Sequence, residues 1–250
     1  MNAAALIPAA GSSSRMNTGR KKEYELINGK PVLAKTCEAF LETGLFVTVC
    51  SIVPKGEIET ARKMLASALS AERNGWERCL CFTEGGKTRQ CSVFNGLRRL
   101  AEFSPDYVFI HDGARPWISP GLIRSVYHST LANGACAPVI IPPDTIKQID
   151  GSGTIVSHFQ RKNTVGIQTP QGFSFKEIYM AHEKAAGDGM SYVDDTEMYD
   201  RYIGPVATVP GEPGNIKITY AHDLEEVICG SARGGTCMFL PGDGPSFSAV

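Results

Sequence analysis

The chain has no long apolar run. Nowhere do about 18 uncharged apolar residues follow one another, which argues against a membrane-spanning helix. It also lacks an excess of either charge: 25 Lys and Arg stand against 26 Asp and Glu, a formal net charge of −1. So even a balance gives no overall steering toward nucleic acid or an anionic membrane, although a local basic pocket remains compatible with it. Metal-ligand spacing is missing as well. None of the 8 cysteines, at 37, 50, 79, 81, 91, 136, 229 and 237, forms a C-x-x-C pair, and the five histidines show no metal spacing, so no zinc site is expected. Most of the cysteines sit in apolar runs such as Thr48-Val49-Cys50 and Cys79-Leu80-Cys81-Phe82. They read as small buried hydrophobes in a reducing cytoplasm. The apolar start, Met1 through Pro8, has no basic segment and is soon followed by Gly and Ser. It reads as a first buried strand rather than a secretory signal.

What is present suits a globular α/β protein. The 250 residues are 42% hydrophobic and 20% charged, enough to build a substantial core. Strand-like runs at about 3–9, 46–53, 79–83, 107–111 and 135–141 alternate with helical stretches at about 31–42, 57–71, 92–102 and 120–131. This rhythm predicts a doubly wound, mostly parallel sheet with helices on both faces. Ligands of such sheets sit at the carboxyl ends of strands, so chemistry is expected just after them. The rhythm breaks at Pro142-Pro143. Two short alternating runs around Gly151-Ser152-Gly153 then predict a β-hairpin arm at about 142–165. A helix at about 175–186, a strand at 216–219 and the start of a last helix at 224–228 follow. We read residues 1–229 as one domain with its arm, and the Gly-, Ser- and Pro-rich residues 230–250 as a weakly ordered tail.

Four places could carry chemistry. After the first strand comes Pro8-Ala9-Ala10-Gly11-Ser12-Ser13-Ser14-Arg15-Met16. Gly11 allows a tight turn, successive N–H groups make an anion-binding concavity, and Arg15 offers a forked cation. This is neither a Walker A loop nor a G-x-G-x-x-G fingerprint. A plain connector would look similar, but Gly19-Arg20-Lys21-Lys22 adds three more cations to the same loop and favours a phosphate site. Second, His111-Asp112-Gly113-Ala114-Arg115-Pro116 ends a buried strand, where Asp112 suits Mg²⁺ or a ribose, or else caps the next loop. Third, Gly85 and Gly86 precede Ser92, which could also be a simple helix N-cap. Fourth, Arg161, Thr169, Asp194, Asp195 and Lys217 form a distal polar set that a solvated surface would equally explain.

Taken together, these motifs resemble the cytidylyltransferase family of the non-mevalonate isoprenoid pathway, over roughly residues 5–228. The shared residues run from Pro8-Ala9-Ala10-Gly11-x-x-x-Arg15-Met16 and Lys22-x-Tyr24 through Gly85-Gly86, Arg89 and Ser92-Val93. They continue with His111-Asp112-Gly113-Ala114-Arg115-Pro116, Asp144-Thr145-x-Lys147, Gln168-Thr169-Pro170-Gln171, Asp194-Asp195 and Asn215-Ile216-Lys217-Ile218-Thr219.

The resemblance implies a nucleotidyltransferase variant of a Rossmann-like fold, a homodimer joined through the arm, and CTP and Mg²⁺ as requirements. It implies that Ala9, Ala10 and Gly11 contact CTP through the backbone and that Gly85, Gly86 and Ser92 recognise cytosine and ribose. Arg15 and Lys22 would stabilise charge at the α-phosphate, and Asp112 would lie by the metal. Arg115, Thr145, Arg161, Thr169 and Lys217 would hold a methylerythritol phosphate, with Thr145 and Arg161 reaching into the neighbour's site. Departures are Lys21-Lys22-Glu23 for the usual Pro-Lys-Gln, Glu25 for a leucine and Val193 for a threonine; the first leaves Lys21 as a rival to Lys22. A pentitol-phosphate cytidylyltransferase (one acting on ribitol 5-phosphate, for example) and a non-catalytic nucleotide-binding regulator are the competing readings.

Overall fold

The computed structural model describes residues 1–13, 21–69 and 75–224. The expectations for Arg15, for a helix beyond Leu224 and for the tail lie outside the described residues.

The strands are β1 (Ala3–Pro8), β2 (Leu26–Ile27), β3 (Lys30–Pro31), β4 (Phe46–Val53), β5 (Leu80–Glu84) and β6 (Tyr107–Ile110), followed by β7 (Ala135–Ile140), β8 (Lys147–Ile149), β9 (Ile155–His158), β10 (Gly166–Ile167), β11 (Gln171–Ser174) and β12 (Ala207–Pro210). The helices are α1 (Val32–Thr43), α2 (Ile58–Leu69), α3 (Arg89–Ala101), α4 (Pro120–Asn133), α5 (Phe175–Gly187) and α6 (Asp195–Tyr202). Strands β5, β4, β1 and β6 pair in parallel in that order. Antiparallel β11 joins β6 to β7, and β12 runs parallel along β7. Short β10 and β11 both lie antiparallel to β7, linked by the Gln168 N–H donating to Pro138 O at 2.8 Å. The predicted mostly parallel sheet is therefore present, with two antiparallel strands, β10 and β11, in it.

Period-two alternation on β1 divides the core between the two faces. Ala3, Ala5 and Ile7 pack with Leu33 and Phe40 of α1, Leu65 of α2 and Ile123 and Val126 of α4. Ala4 and Leu6 pack with Val93 and Leu97 of α3, Ile178 of α5 and Met198 of α6. Each of these large side chains contributes roughly 1.5–3 kcal/mol by burial, which is how helices cover both faces. Helix α3 lies very close to the sheet. A Cβ at Gly96 would come 2.5 Å from a Leu6 methyl and 2.9 Å from an Ile52 methyl. That close approach brings the first turn of α3 over the end of β1.

Sequence signals placed most elements within a few residues. The Pro31 expected inside α1 is its N-cap, and Gly44 closes the helix at φ 67°. Two expectations fail. Residues 216–219 form no strand, because the Ile218 N–H goes to Ala114 O at 2.9 Å and the Ile216 N–H to Gly214 O at 2.8 Å, so no ladder forms. Helix α3 starts at Arg89, with Thr88 rather than Ser92 as its N-cap: Thr88 Oγ1 accepts the Cys91 N–H at 3.0 Å. The expected arm is the β8–β9 hairpin, paired from Lys147↔His158 to Ile149↔Ile155. No side chain from 141 to 167 is buried.

Candidate active site

A cleft of about 600 Å³ opens where β1, β5 and β6 end. The first loop supplies Ala10, Gly11, Ser12 and Ser13, the turn after β5 supplies Gly86 to Arg89, and Asp112 comes from the end of β6. This is the carboxyl edge of the parallel strands, where an α/β sheet binds ligands.

The loops abut closely. A Cβ on Gly85 would fall well inside contact distance of Ala10 Cβ and 3.1 Å from Ser92 Oγ, so only glycine fits without displacing the first loop. The Ala9 N–H is committed to Ile52 O and the Gly85 N–H to Val53 O, both at 2.8 Å. These two residues thus offer a ligand their carbonyls and close approach rather than N–H groups. Ser92 is 6% exposed. Its Oγ accepts the Gly86 N–H at 3.0 Å and donates to Thr88 O at 2.8 Å, so it shapes the glycine turn from within the helix.

Cations converge on this space. Lys22 is buried, and its Nζ donates to Ile218 O at 2.9 Å. Lys21 Nζ donates to Gly11 O at 3.1 Å. Lys87, Arg89 and Lys217 line the same cleft. Asp112 Oδ2 receives Lys217 Nζ at 3.0 Å and Arg115 Nε at 3.2 Å. Burial opposes ionisation of Asp112, but Lys217, Arg89 and Arg115 together outweigh it and hold the carboxyl well below the usual carboxylate range. Glu23 shows the opposite result. Burial pushes its carboxyl up despite Lys22 and Lys21, and its Oε2 accepts from Ser13 Oγ at 3.4 Å.

A second layer orients Asp112. His111 is fully buried, and burial lowers its pKa to about 4, so the ring is neutral at pH 7. Its Nε2 lies 3.1 Å from Arg115 O, which can only accept, so Nε2 carries the proton. Nδ1 then accepts from the Thr169 hydroxyl at 3.0 Å, and Thr169 Oγ1 accepts the Asp112 N–H at 3.2 Å. Arg115 also donates from Nη1 to Asn215 O at 2.7 Å.

Of the residues singled out from sequence, Ala10, Gly11, Lys22, Gly86, Ser92, Asp112 and Lys217 line the cleft. Ala9 and Gly85 stand behind it. Arg115 and Thr169 bond to Asp112 and do not line it. Thr145 and Arg161 are exposed on the arm and do not line the cleft of their own chain. Asp194 is the N-cap of α6, accepting the Glu197 N–H at 2.9 Å, and Asp195 is buried rather than solvated. Sequence reasoning gave no site role to Arg89, Lys87, Glu23 or Thr219. The signal available for Arg89 was its place just after the paired glycines.

The family model for 2-C-methyl-D-erythritol 4-phosphate cytidylyltransferase matches residues 3–228, which takes in every element of the cleft. The chain belongs to that family. Among cytidylyltransferase relatives, the enzyme of that name from Clostridium botulinum is 36% identical over 220 residues, covering 88% of this chain and 95% of the relative. A bifunctional enzyme IspD/IspF of Nitrobacter hamburgensis is 37% identical over 240 residues; the match covers 93% of this chain but 57% of that one. The crystal structure of the 4-diphosphocytidyl-2C-methyl-D-erythritol synthase from Anaerococcus prevotii matches with TM-score 0.79 and 27% identity, over 93% of this chain and 96% of that one.

Mg²⁺ fits the cytidylyltransferase cleft. Among the described residues no group of three or more His, Cys, Asp or Glu could cage a metal. One ionised carboxylate at the cleft wall, Asp112, is nonetheless what Mg²⁺ ordinarily uses alongside ligand phosphates and water. No helix among the described residues is long and apolar enough to cross a membrane.

Proposed function

We propose that this chain transfers the cytidylyl group of CTP to 2-C-methyl-D-erythritol 4-phosphate, giving 4-diphosphocytidyl-2-C-methyl-D-erythritol and pyrophosphate in the cytoplasm. The observation that carries the reading is the cation-lined cleft at the carboxyl edge of the sheet, in a chain matched by the family from residue 3 to residue 228.

An acceptor phosphate oxygen attacks the α-phosphorus in line. One P–O bond forms, the bond to the β-phosphate oxygen breaks, and pyrophosphate leaves. The attacking phosphate is already ionised, so positioning and charge neutralisation are the main requirements. Ala10 and Gly11 cradle the triphosphate with Ala9 behind them, and Gly86 and Ser92, backed by Gly85, hold cytosine and ribose. Lys22, with Arg15 from the same loop, stabilises charge at the α-phosphate. Asp112 would hold Mg²⁺, which would supply neutralisation of phosphate charge. Lys217 shares the Asp112 Oδ2 with Arg115 and receives the acceptor phosphate, and Thr169 fixes Asp112 through its backbone N–H. Thr145 and Arg161 serve the site of a second copy, reached through the arm. Ile149, Ile155, Val156 and Phe159 are 45–60% exposed there, an apolar surface suited to a homodimer.

The test is pyrophosphate release from CTP and Mg²⁺ with a panel of acceptors. The methylerythritol phosphate is expected to give the highest kcat/KM. Equal or better turnover with ribitol 5-phosphate would transfer the assignment to the pentitol enzymes. CTP binding without release for any acceptor would make the chain a nucleotide-binding regulator.

A further inference from the structure

A buried run of polar side chains leads from α5 to the cleft. His182 on α5 is 1% exposed, and its ring stacks on Phe94 with centroids 5.6 Å apart. Its Nε2 lies 3.2 Å from Asp195 Oδ1. Asp195, in the first turn of α6, is also 1% exposed, and its Oδ2 lies 2.8 Å from Arg89 Nη1. Arg89, the first residue of α3, lines the cleft with its side chain one-third exposed.

An unpaired carboxylate at such depth is strongly destabilising, and a buried pair is at best a weak source of stability. The arrangement therefore calls for another role. Burial opposes the charge on Asp195, but Arg89 and His182 outweigh it and the carboxyl stays ionised. Arg89 feels three acids, Asp195 by direct contact and Asp112 and Asp194 through space. Without Asp195, a long guanidinium side chain would be drawn toward Asp112, which already holds Lys217 and Arg115. The ion pair holds the Arg89 guanidinium at Asp195 instead. A guanidinium has five N–H donors, so one held in an ion pair with Asp195 still presents others to the cleft.

We propose that Asp195, backed by His182, is a positioning residue that aims Arg89 at a phosphate of the nucleotide in the cleft. This rests on the transferase reading above. Asp195 does not line the cleft, so its influence on turnover passes through Arg89.

A double-mutant cycle tests it. The wild type, Asp195→Asn, Arg89→Ala and the double variant are compared by kcat and KM for CTP, with melting curves to show that each is folded. Each single change is expected to lower kcat/KM about 10²-fold, since a misplacement of 1 Å near the reacting groups has that effect. The double variant should be no slower than Arg89→Ala. A purely structural tie between α6 and α3 would lower the melting temperature of Asp195→Asn and leave its kcat/KM within twofold of wild type, which would overturn the proposal. Losses that multiply in the double variant would overturn it too. If Asp195→Asn does not fold, Arg89→Ala alone decides: added guanidinium should bind at Asp195 and restore turnover at least tenfold, and no restoration counts against the proposal. Should the wild type release no pyrophosphate with any acceptor, the transferase reading falls. The same cycle read as Mg²⁺–CTP dissociation constants then judges the Asp195–Arg89 coupling by the same criterion.

Discussion

At the scale of single residues, the tandem Lys21-Lys22 is the sharpest case. Sequence places both on one loop, and nothing in their spacing separates them. Burial does. Lys22 is 8% exposed and its Nζ is anchored to Ile218 O, whereas Lys21 is half-buried and its Nζ donates to Gly11 O of the first loop. An ammonium fixed in a water-poor wall is the better stabiliser of developing charge. Lys22→Ala is accordingly expected to lower kcat about 10²–10³-fold, and Lys21→Ala less than tenfold. Steady-state rates of the two variants decide, and near-normal turnover of Lys22→Ala would reverse the assignment. Ser92 illustrates the limit of reading residue by residue. A serine near the start of a helix looks like a cap, yet Thr88 performs that task and frees Ser92 to bind the Gly86 N–H. Only the position of the helix start separates the two roles, and starts are set by tertiary contacts as well as by local signals.

At the scale of elements, the parallel strands were legible because β-branched and apolar runs mark them. Strand β11 was not. Gln171-Gly172-Phe173-Ser174 carries one large apolar side chain, and it is a central strand because β6 and β7 flank it. Gly172 is required there by space: a Cβ would collide with Thr130 Oγ1 and the Phe109 ring. Helix α6 is too polar to show a clear apolar stripe and is recognisable mainly by its Asp194 cap. The arm was legible from its turn: Asp150 Oδ1 accepts the Ser152 N–H at 2.9 Å and the Thr154 N–H at 3.0 Å, and Gly153 sits at φ 84°. If the arm joins two copies, placing charge on it should separate them without unfolding the core. Ile155→Asp combined with Val156→Lys is expected to shift sedimentation from dimer to monomer at micromolar concentration while the circular dichroism spectrum is kept. A wild type that sediments as a monomer would refute the arm-mediated dimer.

At the scale of the whole molecule, the two faces of the sheet carry separate apolar clusters while buried Lys22, Glu23, His111 and Asp112 lie at the edge that carries the cleft. That layout ties stability to pH through His111. Its folded pKa is about 4, below its ordinary 6.5, so above pH 6.5 the ring is neutral in both states. Between pH 6.5 and 4 the unfolded chain takes up a proton that the folded chain refuses. The contribution of His111 is therefore present above pH 6.5 and lost as pH falls toward 4, on the order of 3 kcal/mol across the window. Urea midpoints measured from pH 7 to pH 4 should fall more steeply for the wild type than for His111→Asn. Parallel profiles would show that the ring is not buried neutral. The bulk fold, its two-faced core and the edge that carries the cleft were all legible from the rhythm of apolar runs. Which cations meet in space was not, because they come from segments far apart in the chain.

The bond from Lys22 Nζ to Ile218 O joins residues separated by 196 positions. A polypeptide still being synthesised, with its first 210 residues formed, already has β1, its first loop and the glycine turn. It still lacks the carbonyl that anchors Lys22 and the lysine that faces Asp112. The earliest-made wall of the cleft thus waits on one of the latest, and the site first exists in a chain translated past residue 218.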